Sequence, residues 1–121
     1  KNNTESISWY LQAIKIISLE LDTINNDINK SIQNKHFDKI KKKQIKLIDT
    51  KLILSDIYYK ISVLYIDEQR PKKAMENLQN SIRSNQENAK SYFQLSKLTK
   101  GKESENNLQK AIDIDPEYSI K

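Results

Sequence analysis

Ile7, Ile14, Leu21 and Ile28 recur every seven residues, and Tyr10, Ile17 and Ile24 follow three positions after the first three. This a/d spacing predicts one long amphipathic helix from residue 5 to about 32, started by Thr4 with Glu5 in its first turn. After Asn34-Lys35-His36 a second seam runs through Ile40, Leu47, Leu54 and Ile61, with Ile57 and Leu64 as its d positions. Neither proline nor glycine interrupts residues 37–67. A second helix of about 30 residues, roughly 45 Å long, is therefore expected to continue unbroken past Leu54. The short turn between the two makes them antiparallel neighbours. Ile45, Ile48 and Leu52 lie off that seam and need a second partner: another part of the chain, a second copy or a different protein. Further helices are predicted over 71–84, 89–99 and 102–114, and Ser119-Ile120-Lys121 can open another.

One pattern is written twice in the second half. Tyr58, Ile61, Ser62 and Tyr65 return at Tyr92, Leu95, Ser96 and Thr99, each pair 34 residues apart. Ala74, Leu78 and Ser81 are likewise echoed by Ser104, Leu108 and Ala111, followed by Asp115-Pro116. Small residues suit places where two helix backbones cross, and the large ones fill the space beside them. Pro71 fits the first turn of a helix, where its missing N–H costs nothing, and Pro116 stops the last one. Residues 55–118 thus resemble the tetratricopeptide repeat, a helical hairpin of this period. The resemblance departs from the usual pattern at Ser62 and Ser96, where glycine is usual, and at Gln86, where the repeat usually ends in proline. The second unit has also lost four residues, about one helical turn, around Gly101. Its first helix should be short, with Gly101 as the helix stop.

The heptad seams and the resemblance together give the expectation of an all-α fold: a long antiparallel helical hairpin continuing into about two tetratricopeptide-like units. Residues 1–121 then form a single domain, 1–54 being the hairpin region and 55–121 the repeat region, with the hairpin serving as the cap that a two-unit array lacks. In such repeats the first helices of successive units line a concave groove that binds peptides or partner helices. By the same resemblance Asp56, Tyr59, Val63 and Ile66 of one unit and Lys90, Phe93 and Lys97 of the next face that groove. A variant that grips a C-terminal carboxylate uses a lysine, asparagine and arginine set, which Tyr59, Lys60, Val63 and Gln94 do not supply. The implied partner is another protein, as a helix or an extended peptide, with Ile45, Ile48 and Leu52 as the alternative contact surface. Self-assembly through the heptad seams, giving a homo-oligomer, is the first rival reading, and nucleic-acid binding through a basic helix face at residues 39–46 the second.

Composition narrows the chemistry. The chain has no cysteine, which excludes disulfides, thiolate nucleophiles and thiolate metal sites. His36 is the single histidine and falls in a predicted turn, so it makes a poor metal site. There is no phosphate-binding glycine loop, no HExxH and no nucleophile motif. No cofactor is expected, and the reading is non-enzymatic.

The formal charge of +5 is concentrated at Lys39, Lys41, Lys42, Lys43 and Lys46. A lysine run on a helix reads first as a solvated face. Nucleic-acid binding usually adds arginine forks or stacking aromatics, which are not interleaved here. No apolar run approaches the roughly 20 residues of a membrane span. A chain beginning Lys1-Asn2-Asn3 reads as a processed or excised piece, which leaves the compartment open between cytoplasm and a lipid-anchored or cell-envelope setting.

Overall fold

A computed structural model of the chain describes residues 3–120. It contains α1 (Asn3–Gln33), α2 (Phe37–Asp67), α3 (Pro71–Ser84), α4 (Ala89–Leu98) and α5 (Gly101–Ile114), closed by a 3-10 turn at Pro116–Ile120. The expected all-α architecture is present, with no strand among the described residues. Lys121 and the Lys1-Asn2 start lie outside them.

The heptad seams dictate the first layer. Ile7, Ile24 and Ile28 of α1 and Leu54 and Ile61 of α2 are buried. At the open end of the hairpin the Asn3 amide donates to Asp67 Oδ2 at 2.8 Å and to the Leu64 carbonyl at 3.5 Å. Antiparallel pairing therefore runs the whole length of two 31-residue helices. Lys43–Asp27 (3.6 Å) and Lys46–Glu20 (3.7 Å) bridge its middle. Exposed pairs of this kind contribute roughly 0–1 kcal/mol each, so the apolar seam holds the hairpin. Helix α2 passes unbroken through Leu54 and Ser55, so no linker separates hairpin from repeats.

The turns after α1 and α2 are alike. Lys35 and Gln69 adopt left-handed φ values of 59° and 60°. The next residue in each case, His36 or Arg70, donates its N–H to a carbonyl five residues back, on Ser31 or Tyr65, at 2.9 Å. This is the six-to-one closure of a Schellman motif. Pro71 then occupies the first turn of α3.

The repeat symmetry is visible atom by atom. Ser62 Oγ donates to the Tyr59 carbonyl at 2.6 Å, and Ser96 Oγ to the Phe93 carbonyl at the same distance. The turn Asn85-Gln86-Glu87 recurs as Asp115-Pro116-Glu117, with the side-chain oxygen of Asn85 or Asp115 accepting from the N–H two residues on, at 3.0 and 3.1 Å. Gln86 thus holds the turn geometry that Pro116 holds.

Two expectations need correction. Gly101 is the first residue of α5 and not the stop of α4, which ends at Leu98 with Thr99 Oγ1 bonded to the Leu95 carbonyl at 2.8 Å. Its φ of +62° reverses the chain into α5. Leu108, expected to fill the space between helices, is 36% exposed, whereas its counterpart Leu78 is fully buried. Helix α3 lies between α2 and α4, while α5 packs mainly against α4 and the 3-10 turn.

A hydroxyl network joins the two units. Ser55 (α2), Ser81 (α3) and Ser91 (α4) are fully buried. Ser55 Oγ donates to the Ser81 carbonyl and Ser81 Oγ to the Ser55 carbonyl, both at 2.7 Å. Asn88 Nδ2 reaches Ser55 Oγ at 2.9 Å and Ser81 Oγ at 3.1 Å, and Ser91 Oγ lies 2.9 Å from Ser81 Oγ. Small hydroxyls let three backbones approach while every polar atom keeps a partner. Ser81→Ala strands donors on Asn88 and Ser91, and is expected to cost about 2 kcal/mol in urea unfolding, the penalty for buried polar groups left unpaired.

Candidate protein-binding groove

Because α2 and α4 occupy equivalent places 34 residues apart, Tyr59 and Phe93 stand at the same position of successive units, as do Asp56 with Lys90 and Val63 with Lys97. The Lys90 ammonium lies 4.9 Å above the Tyr59 ring, and the Lys97 ammonium 4.4 Å above that of Phe93. Asp56 accepts Lys60 at 3.1 Å and Lys90 at 3.9 Å, tying α2 to α4. This hydrogen bond and the Asp56 charge raise the Lys60 pKa above its ordinary value. One carboxylate shared by two ammonium groups leaves the rim net positive.

Two pairs of the expected residues are thus in contact, Tyr59 with Lys90 and Phe93 with Lys97. Val63 and Ile66 continue the stripe about one and two turns further along α2. Val63 is 40% exposed and Ile66 half-buried. Helix α1 lies along α2, yet Val63 stays exposed on this face.

Tyr118, which the repeat pattern does not mark, lies against the expected groove residue Phe93. Its ring stacks on Phe93 with centroids 4.7 Å apart and planes inclined by 37°. Partial burial pushes the Tyr118 phenol above its ordinary pKa, with Tyr59, Asp115 and Glu117 adding to the rise. A raised phenol favours the neutral ring in the folded state. Its small contribution is complete below the ordinary tyrosine pKa and is lost as pH rises through the folded value. The sequence signal was the repeated turn, which sets Tyr118 where Asn88 stands in the first unit.

Ile45, Ile48 and Leu52 remain exposed, at 54%, 58% and 45%. Leu52 lines a shallow cleft of about 300 Å³ with Asp56, Asn88, Lys90 and Tyr118. Ile45, Leu52, Tyr59 and Ile66 recur every seven residues on α2. The α2 members of the expected groove and the alternative surface therefore form one stripe on that helix. Among the described residues no three histidine or acidic side chains converge as a metal site requires, and no helix is long and apolar enough to cross a membrane.

A family model described as Tetratricopeptide repeat matches residues 55–88, which are α3 and the part of α2 that packs on it. The chain matches no curated protein. Among solved structures it is similar to the crystal structure of MamA, at 17% identity and a TM-score of 0.50, over 91% of this chain and 67% of that one. At that identity the likeness speaks for the fold. Repeats of this kind generally bind other proteins and are typically non-catalytic. The chain therefore carries a tetratricopeptide-like helical repeat at residues 55–88, with a shortened second unit behind it, on an all-α fold that resembles MamA.

Proposed function

We propose that the chain is a non-catalytic protein–protein interaction scaffold that holds a partner helix or extended peptide along the stripe of α2 and α4. Tyr59, Val63, Ile66 and Phe93 supply the apolar contact, and Lys90 and Lys97 the rim. The observation that carries this reading is the exposure of Val63 beside two aromatic rings held in place mainly by lysines and Tyr118. Apolar stripes rimmed by charge mark interaction sites. Aromatic anchors commonly contribute about 2 kcal/mol or more to binding, whereas rim charges chiefly steer encounter, so the rings set affinity and the lysines favour an acidic segment. On this reading residues 1–121 act as one unit, with the hairpin capping the repeats.

A second copy is a poorer occupant. Laid antiparallel on its own stripe with Ile45 opposite Ile66, it brings the two like-charged Asp56 carboxylates close to the two-fold axis.

Placing a photoreactive amino acid at Val63 and irradiating in the native source is expected to trap protein adducts that are absent when the same group replaces Glu76 on the exposed face of α3. Equal trapping at both positions, or none at Val63, contradicts the assignment.

A further inference from the structure

The far end of the hairpin concentrates the charge of the whole chain. Residues 30–43 hold six lysines against one aspartate, which leaves fifteen of the 21 cations facing fifteen of the 16 anions elsewhere. The entire formal excess of +5 thus sits in fourteen residues around one turn. Lys43 is engaged by Asp27, but Lys30, Lys35, Lys39, Lys41 and Lys42 form no ion pair among the described residues. Between them Phe37 is 69% and Ile32 53% exposed. The backbone here is pinned by Asn34 N–H to the Lys30 carbonyl (3.0 Å), Lys35 N–H to that of Ile32 (3.1 Å) and His36 N–H to that of Ser31 (2.9 Å). Both apolar side chains therefore stand on a built turn at the extremity of the molecule.

We propose that this tip docks end-on to an anionic lipid bilayer, with Phe37 and Ile32 entering the headgroup boundary and the lysines engaging lipid phosphates and carboxylates. Along the helix axis Lys39, Lys41 and Lys42 lie about 3, 6 and 7.5 Å from Phe37, at 1.5 Å per residue. All are within one Debye length, about 8 Å at physiological salt, of a surface touched by Phe37. Clustered lysines near such a surface are each worth roughly a fivefold gain in binding, and an inserted aromatic adds to it. A nucleic acid is the poorer match, because the cluster is all lysine and its single ring offers no series of stacking platforms. End-on docking places Tyr59 about 33 Å from the bilayer, 22 residues along α2, leaving the groove clear.

The test is co-sedimentation of the full chain with phosphatidylcholine vesicles and with vesicles carrying 30% phosphatidylserine (about that fraction gives a cytoplasm-like surface potential). Binding is expected only to the anionic vesicles. It should fall roughly a hundredfold in the Lys39→Gln/Lys41→Gln/Lys42→Gln variant and about tenfold in Phe37→Ala, with unchanged helical circular dichroism. In a Trp9→Phe background, Phe37→Trp should shift its emission to the blue on anionic vesicles, while Trp9 of the unaltered chain, near the opposite end, should not. Equal binding to both vesicle types, binding to neither, or a triple variant that binds as well as the parent overturns the proposal. So does tighter, Phe37-independent binding of a poly-uridine RNA, which reassigns the lysines to a nucleic acid.

Discussion

Ile61→Ala is expected to lower the free energy of unfolding by about 4 kcal/mol, toward the upper end of the range for deleting a buried isoleucine side chain. Ile61 is fully buried and belongs to two patterns at once, the seam toward α1 and the repeat position that meets α3. Both neighbours are anchored elsewhere, α1 by Asn3 on Asp67 and α3 by the serine network, so neither can close the cavity. A domain of this size has roughly 5–15 kcal/mol in total, and the variant should be largely unfolded in mild urea. Ile48→Ala, at an exposed position on the same helix, should shift the urea midpoint by less than about 0.5 kcal/mol equivalent. A loss under 1 kcal/mol at Ile61 contradicts the shared core.

The second large effect concerns binding. With the protein trapped at Val63 as the titrant, Tyr59→Ala and Phe93→Ala should each weaken association by about 2 kcal/mol or more, close to thirtyfold. Lys97→Gln should weaken it by less, and mainly through a slower, salt-sensitive on-rate. An order reversed, with Lys97 dominant and the rings silent, places the partner outside the apolar stripe.

Much of the fold was legible because apolar spacing obeys helix geometry. The seams at Ile7–Ile28 and Ile40–Ile61 predicted two long helices, and neither proline nor glycine was present to break the second. The 34-residue echo of Tyr58-Ile61-Ser62 located the repeat. Leu108 was misplaced because period alone does not say whether a covering helix follows on the other side. Gly101 was misassigned because a left-handed residue can close one helix or open the next, and a single glycine in the sequence serves both readings. In the expected groove, the resemblance marked Tyr59, Lys90, Phe93 and Lys97, of which Lys90 lies over Tyr59 and Lys97 over Phe93. It did not bring out Tyr118, which reaches Phe93 from a short 3-10 turn with no periodicity of its own. Nor did it unite Ile45, Ile48 and Leu52 with Tyr59, since a heptad on the outer face becomes a surface only when the helix proves continuous. The basic tip was visible as a lysine run, but its pairing with exposed Phe37 and Ile32 required the turn.

The stripe is the centre of the account, and its standing as surface and not core is measurable without any partner. All four rings are half-buried, but by the repeat pattern Tyr58 and Tyr92 are expected to pack between the helices of their own units, while Tyr59 and Phe93, one position later, meet Lys90, Lys97 and Tyr118. Urea unfolding of the double variants Tyr58→Ala/Tyr92→Ala and Tyr59→Ala/Phe93→Ala compares the two phases of the same helices directly. The first pair is expected to lose about 4 kcal/mol or more and the second under about 2 kcal/mol. Equal losses would make the stripe part of the core and contradict the groove.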